Sequence, residues 1–176
     1  MSIQALSQLV PPPAAPRETG APGDWDEVEE ALDCPLPADY RALIDGYGTG
    51  GVGNFLWLLS PFTRSQDQNL LVAGRRILVA YRAIQADDPP RYPFPAYPEE
   101  GGLLPWAVSD NGDTLYWQTS GDEPDQWPVV LFNGDHNRHE SFAGGAAAFL
   151  ADWLGGAFRS SILPDPRELE PGWITS

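Results

Sequence analysis

Five carboxylates lie between Ser109 and Asn133, in a stretch of the chain that contains no basic residue. The sequence there is SDNGDTLYWQTSGDEPDQWPVVLFN, so acidic residues are interspersed with aromatic and β-branched ones. Carboxylates in such a segment can bind a metal ion, act in pairs as general acid and base, or form an acidic sheet rim that docks a basic partner. The five are Asp110, Asp113, Asp122, Glu123 and Asp125.

The spacing of these carboxylates argues against a calcium loop. The run DNGDTLYW, which begins at Asp110, lacks the alternating oxygen ligands and the distal bidentate glutamate of an EF-hand. We therefore interpret Asp110 and Asp113 as residues that flank a turn, and we expect neither a metal ion nor a cofactor.

The glycine run GYGTGGVG matches the dinucleotide-binding pattern G-x-G-x-x-G at Gly48, Gly50 and Gly53. A dinucleotide site requires strand, loop and then helix, so that the phosphate meets a helix N-terminus. Here the predicted order is helix, loop and strand. We interpret these glycines as a helix end and a tight turn.

The other residue types that often carry chemistry are few. His136 and His139 form an H-x-x-H pair that lacks the spacing and the helix of the zinc motif H-E-x-x-H, so we assign them to a hairpin turn. Cys34 is the only cysteine, and its place between a helix end and Pro35 favours a buried thiol over a nucleophile. The absence of lysine excludes Schiff-base, P-loop and kinase-type lysines, and we expect no catalytic residue.

The overall charge and the apolar pattern indicate which classes of partner this chain can bind. The formal net charge is -15 at pH 7, and all ten basic residues are arginine. Direct nucleic-acid binding needs an excess of Lys and Arg, so this composition argues against it. No apolar stretch approaches the ~20 residues of a membrane span, and the N-terminus has no basic leader region. We therefore expect a cytoplasmic protein without membrane contact.

The elements that must position these residues follow from the spacing of apolar side chains. We predict helices over residues 24–32, 37–47, 65–84 and 144–154, and strands in NFLWLLSPF and over residues 104–110, 113–119 and 127–133. The helix over 65–84 carries Arg75, Arg76 and Arg82. This order predicts an α+β fold, in which an antiparallel β-sheet meander has N-terminal helices, a middle helix and a C-terminal helix packed against it.

The dipeptide Asn111-Gly112 lies between two alternating runs and predicts a hairpin with a type I′ turn. That turn would place Trp106 opposite Trp117 and Val108 opposite Leu115. Cross-strand pairs of this kind fix the register, so we expect all four side chains on the core face of the sheet.

Three segments are predicted along the chain. Residues 1–22 form an N-terminal extension in which a short helix is followed by the proline-rich PPPAAP, and we favour an undocked linker over a docked element. Residues 23–160 form the α+β domain, and residues 161–176 form a C-terminal tail.

Acidic residues are concentrated between Arg91 and Arg138, where no basic residue occurs. They are Glu99, Glu100, Asp110, Asp113, Asp122, Glu123, Asp125 and Asp135. The predicted turns place most of them at strand ends, so we expect them to ring one rim of the sheet. Two interpretations stay open: the rim serves solvation alone, or it docks a basic partner and accelerates association.

Several segments resemble a known family. The run VEEALDCPLPADYRALIDGYGTGGVGNFLWLLSP is similar to the N-terminal signature of the SUKH superfamily, bacterial immunity proteins related to fungal cell-wall-assembly regulators. NGDTLYWQTSGDEPDQWPVVLF resembles its strand–turn–strand unit, and FAGGAAAFLADWLGG resembles its closing helix. The chain departs from the family at Asp33, where glycine is usual, and in its proline-rich extension. The residues assigned to the shared scaffold are Trp25, Leu36, Pro37, Tyr40, Tyr47, Gly48, Trp106, Trp117, Trp127 and Phe149.

The resemblance implies a non-enzymatic protein that binds and neutralises a cognate toxin, often a nuclease or deaminase. A toxin that handles nucleic acid presents a basic cleft, so we assign partner binding to the five carboxylates between Asp110 and Asp125. A regulatory scaffold that binds an endogenous partner is the alternative. A small hydrolase is the third, and it requires a carboxylate of raised pKa in a cleft. The sequence does not predict the oligomeric state.

Overall fold

Seven short strands form one antiparallel sheet in the structure, a computed structural model that describes residues 2–176. The strands are β1 (Gly50–Val52), β2 (Leu56–Leu58), β3 (Leu103–Ser109), β4 (Thr114–Gln118), β5 (Val129–Phe132), β6 (His139–Phe142) and β7 (Trp173–Thr175). Their order across the sheet is β6-β5-β4-β3-β2-β1-β7. The first six strands therefore form a meander, and the C-terminal strand is added beside β1.

Helices cover both faces of this sheet. They are α1 (Ser2–Leu9), α2 (Asp24–Leu32), α3 (Ala38–Tyr47), α4 (Leu70–Asp87) and α5 (Ala146–Gly155). Helices α3 and α5 pack on one face, with α1 and α2 beside them, and α4 packs on the other face through Leu78 and Tyr81. The start of α4, with Leu70 and Ala73, contributes to the same core as α3 and α5. The predicted α+β fold is confirmed. No helix within residues 2–176 is both long and apolar enough to cross a lipid bilayer.

The larger core lies between the sheet and helices α3 and α5. Trp106 of β3 and Trp117 of β4 stack with 5.8 Å between ring centroids, and both are fully buried. Tyr40 of α3 meets Trp117 edge-on at 4.9 Å, and Phe149 of α5 meets Trp106 at 6.3 Å. Aromatic side chains of this size bury much apolar surface, so this cluster holds the two helices on the sheet.

A second core lies under α4, on the opposite face. Tyr81 of α4 contacts Tyr116 of β4 and Phe132 of β5, with ring centroids 5.9 and 5.8 Å apart. Burial raises the pKa of the Tyr81 phenol, which donates to the carbonyl of Phe94 at 2.9 Å. Since β4 contributes Trp117 to one core and Tyr116 to the other, it is buried on both faces.

The register between β3 and β4 differs from the prediction. Leu104, not Trp106, pairs with Trp117, and Ala107, not Val108, pairs with Leu115. Trp106 is the extra residue of a β-bulge between Pro105 and Ala107, which keeps its side chain in the larger core. Val108 is only partly buried.

The turn at 110–112 is the cause of part of this shift. Ser109, not Asp110, closes the hairpin, because its amide donates to the carbonyl of Asp113 at 2.9 Å and its carbonyl accepts from the amide of Gly112 at 3.0 Å. Of the three loop residues, Gly112 alone has a positive φ, 83°. This pattern is the three-residue hairpin loop with a glycine bulge, and the predicted type I′ turn is wrong.

The glycine run forms the expected helix end at Gly48 and the expected tight turn at Gly53, but it also contributes a strand that we did not predict. Gly50, Gly51 and Val52 form strand β1, and the single strand predicted in NFLWLLSPF is reduced to β2. Gly53 and Asn54 between them have φ values of 68° and 50°, the sign that a type I′ turn requires at both central residues. The two strands therefore form a hairpin at this position.

The middle helix begins five residues later than predicted. The Asn69 side chain accepts from the amides of Leu71 and Val72 at 3.0 and 3.1 Å, and it donates to the carbonyls of Pro61 and Thr63. This N-cap fixes the start of α4 at Leu70 and holds the preceding loop against it.

Both terminal segments pack against the domain. Leu6 and Val10 are buried in the larger core, and the Tyr47 hydroxyl donates to the carbonyl of Val10 at 2.8 Å. At the other end, Leu163 is buried and β7 pairs with β1. The extension is thus docked, in contrast to the undocked linker that we favoured. The boundaries at 22/23 and 160/161 remain predictions.

Candidate protein-binding surface

The five carboxylates proposed for partner binding lie at two opposite ends of strand β4. Asp110 and Asp113 belong to the β3–β4 turn, whereas Asp122, Glu123 and Asp125 belong to the β4–β5 connection. The five residues of β4 separate the two groups by about 17 Å, at ~3.4 Å per residue. They do not form the single rim that we expected, because antiparallel strands send successive connections to opposite ends of a sheet.

Asp113 is a structural residue and not a member of the surface. It is 4% exposed, and its carboxylate accepts from the Ser109 hydroxyl at 2.6 Å and from the Gly134 amide at 2.9 Å. The Ser109 hydroxyl oxygen in turn accepts from the amides of Asn111 and Asp113. The Asp113 carboxylate thus ties the β3–β4 turn to the β5–β6 turn. Its buried position gives a docking partner no access to it.

Asp110, in the same turn, is exposed but is joined to the sheet. Its carboxylate accepts from the indole N–H of Trp57 at 2.8 Å. Trp57 lies in β2, the neighbour of β3, so this hydrogen bond joins the β3–β4 turn to strand β2. Asp110 therefore carries charge to the surface at the end of the sheet remote from the other exposed carboxylates.

Asp125 is exposed and also has a structural role. The N-terminus of α3 follows Pro37 and has no side-chain cap from its own segment. The Asp125 carboxylate supplies one from the β4–β5 connection, since it accepts from the Ala38 amide at 2.6 Å. A carboxylate at a helix N-terminus also interacts favourably with the helix dipole.

Asp39, which sequence reasoning did not single out, caps helix α5 in the same way. It lies in the first turn of α3, and its Oδ2 accepts from the Ala147 amide at the start of α5, 2.9 Å away. Its Oδ1 is buried and has no donor within the described chain. Burial raises the pKa of this carboxyl, and the nearby charge of Asp125 acts in the same direction. One signal was available: α5 begins after Gly144-Gly145, which cannot cap it with a side chain.

Asp122 and Glu123 are the two proposed residues that face solvent without any structural partner. Their side chains make no hydrogen bond or ion pair with residues 2–176. The loop that carries Glu99 and Glu100 is held beside them, because the Gly101 amide donates to the carbonyl of Thr119 at 3.0 Å. Both glutamates are exposed. We call this group the acidic edge; it consists of Glu99, Glu100, Asp122, Glu123 and Asp125.

The remaining candidates do not assemble into a reactive site. His136 and His139 pack against Phe132, with ring centroids 5.8 and 5.1 Å apart. Burial raises the pKa of the half-buried Cys34 thiol, which keeps it protonated. Within residues 2–176, no group of three or more His, Cys, Asp or Glu side chains is placed to hold a metal ion.

Two cavities on the described chain bear on the hydrolase alternative, which requires a carboxyl group of raised pKa in a cleft. The larger one, of about 410 Å³, lies at the end of α5 beside Trp153, Phe158 and Arg167. The carboxylate that lines it, Asp165, has its pKa lowered by its ion pair with Arg167. The carboxyl group of raised pKa, Asp39, caps α5 and lines neither this cavity nor the smaller one of about 160 Å³.

The scaffold residues proposed from the sequence lie where the helices meet the sheet. Leu36, Tyr40 and Tyr47 of the α3 region are buried, as are Trp127 and Phe149. Trp25 is partly buried, and its ring meets Phe62 and Tyr40 edge-on at 4.8 and 6.1 Å. These side chains hold α2, α3 and α5 in place, so the connections between strands are left to present charge.

No curated protein matches this chain. A protein-family model, SUKH_6, described as SMI1-KNR4 cell-wall, matches residues 22–150. The match covers helices α2, α3 and α4, strands β1 to β6 and the first half of α5, whereas α1 and β7 lie outside it. It includes every residue that was assigned to the shared scaffold. The chain therefore belongs to the SUKH superfamily, in the family of SMI1-KNR4 proteins.

Proposed function

We propose that this chain is a non-enzymatic binding protein that docks a basic protein partner through the acidic edge. The observation that carries the proposal is the contrast among its carboxylates: those of Asp39 and Asp113 are held by backbone or hydroxyl donors, whereas Asp122 and Glu123 have no partner in the described chain. Charges that face solvent without a structural partner are free to pair with another molecule.

The partner that best fits this edge is a cognate bacterial toxin that acts on nucleic acid. A nuclease or deaminase needs a basic cleft for its substrate, and an acidic edge on an antidote can occupy that cleft. Membership of the SUKH superfamily supports an immunity or regulatory role. The formal net charge of -15 adds a long-range attraction that accelerates encounter with a basic protein.

Kinetic measurements with the captured partner test the docking surface. The partner is first isolated by affinity purification and identified by mass spectrometry, and we expect a basic protein. Replacement of Asp122 by Asn together with Glu123 by Gln should slow association roughly tenfold at ~50 mM salt and much less at ~300 mM, where the Debye length is shorter. Asp125 is retained because it caps α3.

A matched control keeps the same change of charge at another site. Glu168→Gln/Glu170→Gln removes two exposed carboxylates near the C-terminus. We expect this variant to associate nearly as fast as the parent, because its charges lie outside the docking surface. If both double variants slow association equally, net charge and not the acidic edge determines encounter.

The regulatory alternative is favoured by the cell-wall description of the matched family. In that case the same edge would bind an endogenous protein whose absence alters growth without any toxin. Co-expression separates the two functions. An immunity protein restores growth to cells that produce the partner, whereas a regulatory scaffold leaves the growth of such cells unchanged.

A further inference from the structure

The outward side of α4 differs in composition from an ordinary solvated helix. Its members recur at intervals of three and four residues and therefore share one side of the helix. They are Val72, Arg75, Arg76, Val79 and Arg82, all exposed. We call this surface the arginine face.

Two large aliphatic side chains project from the arginine face into solvent. Val79 is 60% exposed and Val72 is 47% exposed, and they lie seven residues apart, two helical turns. Only Leu9 shares this property among the large apolar residues of the described chain. β-branched residues are not the best helix formers, so helix propensity does not explain valine at these solvent-facing positions.

The charges of the arginine face are all positive. Helix α4 has no acidic residue before Asp87, although the chain contains 25 acidic residues. Arg75 has no ion-pair partner in the described chain. Arg76 forms an ion pair with Asp67, with 3.0 Å between the guanidinium nitrogen and the carboxylate oxygen, and both side chains are exposed. Such an exposed pair contributes little to stability, so these arginines are available to an external carboxylate.

We propose that the arginine face docks an acidic segment of a partner protein that carries aliphatic residues between its carboxylates. Guanidinium groups bind carboxylates in a bidentate manner, and arginine is enriched in protein interfaces while lysine is depleted. Val72 and Val79 supply apolar anchor points on either side of Arg75 and Arg76. This interaction is distinct from the proposed docking of a basic protein, because it requires the opposite charge in the partner.

Other anionic partners fit this surface less well. Nucleic acid and anionic lipid bilayers present dense and extended negative charge, which the net charge of -15 repels over the whole molecule. A short acidic segment places its few carboxylates against the arginines within one Debye length, so the local attraction outweighs the remote repulsion. A protein segment is therefore the occupant that the charge distribution selects.

The location of α4 keeps this surface separate from helices α3 and α5. Tyr81 and Leu78 bury the inner side of α4 against the sheet face opposite those helices. Arg82 donates to the carbonyl of Tyr97, in the loop that leads to the acidic edge. The arginine face thus borders the acidic edge at one end only, and a partner centred on Arg75 and Val79 does not cover that edge.

A random peptide library tests the proposal without knowledge of the partner. The probe is a phage-displayed library of peptides of about 16 residues, enough for four helical turns. We expect selection on the full chain to enrich sequences rich in Asp and Glu with interspersed Leu, Ile or Val. A synthetic copy of one enriched peptide should bind Arg75→Glu/Val79→Glu at least roughly tenfold more weakly than the parent.

Two further variants keep this test decisive. Arg138→Glu/Leu9→Glu makes the same changes of charge and polarity at other exposed positions, and it should bind the peptide as the parent does. If Arg75→Glu/Val79→Glu loses its fold by circular dichroism, Arg75→Ala/Val79→Ala replaces it, because alanine favours helix. The proposal is overturned if no acidic peptide is enriched, or if the enriched peptide binds all variants equally.

The competing occupants are separate arms of the same experiment. Duplex DNA and phosphatidylserine vesicles are offered to the parent and to Arg75→Glu/Val79→Glu, and we expect no binding to either protein. Sedimentation of the protein alone reports a second copy as occupant, and we expect the two proteins to sediment alike. Binding of DNA or vesicles, or self-association that this double variant abolishes, would assign the arginine face to that occupant and reject an acidic segment.

Discussion

The acidic residues at the two ends of strand β4 differ in burial and in hydrogen bonding. At the turn end, the carboxylate of Asp113 is buried and accepts from a hydroxyl and a backbone amide. At the loop end, Asp122 and Glu123 extend into solvent with no partner in the described chain. The donors within reach, and not the residue type, therefore decide whether a carboxylate stabilises the fold or remains available for binding.

Removal of the carboxylate at the turn end should have the largest effect. Asp113→Ala leaves the Ser109 hydroxyl and the Gly134 amide without their acceptor, and we expect a loss of about 2–4 kcal/mol in the free energy of unfolding. Urea denaturation measures it. Asp110→Ala, in the same turn but exposed, is the control and should cost about 1 kcal/mol or less. Equal losses in the two variants would contradict the structural role of Asp113.

Asp125 combines the properties of the two groups, since its side chain is exposed and its carboxylate also caps α3. Asp125→Ala should cost on the order of 1 kcal/mol in the free energy of unfolding, the usual effect of losing an N-cap. Asp125→Asn retains an acceptor oxygen and should restore most of this loss. A failure of asparagine to restore stability would show that charge, and not the hydrogen bond to Ala38, is what matters there.

Asp39 should make stability depend on pH in a defined direction. Because burial raises the pKa of its carboxyl, the folded state binds this proton more tightly than the unfolded state. The contribution of Asp39 to stability is therefore most favourable at a pH below 3.8, the ordinary pKa of an aspartic acid side chain. It decreases as the pH rises through the raised pKa of Asp39. Asp39→Asn keeps an acceptor for the Ala147 amide and lacks this titration, so its stability relative to the parent should increase over that window.

Urea denaturation of both proteins across the acid range measures this difference. Asp122→Asn is the control, since its carboxylate has no structural partner, and we expect no comparable trend. A difference between Asp39→Asn and the parent that stays constant with pH would contradict the assignment. The interaction with the α5 dipole would then cancel the effect of burial on the pKa of Asp39.

The smallest change in stability is expected at the loop end. Asp122→Asn/Glu123→Gln should alter the free energy of unfolding by less than about 0.5 kcal/mol, as surface substitutions without partners do. Thermal unfolding and urea denaturation both measure it. The same variant is expected to slow partner association, so unchanged stability makes any kinetic effect attributable to the surface. A loss comparable to that of Asp125→Ala would instead assign these residues to the fold.

Much of the fold follows from local patterns in the sequence. The helical spacing around Tyr40 and Tyr47, and the alternation around Leu115 and Trp117, predicted these elements and the face of each that lies in the larger core. The order of these elements, with the signature residues from Leu36 to Trp127, was also sufficient to indicate the SUKH superfamily, which the family match confirms.

Register and terminal packing could not be predicted in the same way. The bulge at Trp106 and the loop closed by Ser109 each shift the pairing of β3 and β4, and both depend on contacts with neighbouring strands. Docking of Leu6 and the pairing of β7 with β1 join segments that lie far apart in the chain. No periodicity within a short window reports such contacts.

Charge, the absence of lysine and the apolar patterns are properties of the sequence alone, and they indicate the class of fold and the kind of partner that we propose. Which carboxylates are free to meet that partner depends on the folded structure. Asp39, Asp113 and Asp125 accept from the amides of Ala147, Gly134 and Ala38, which lie far from them in the chain, whereas Asp122 and Glu123 find no donor within residues 2–176. This dependence arises because hydrogen bonds form between neighbours in space, and folding alone makes those neighbours.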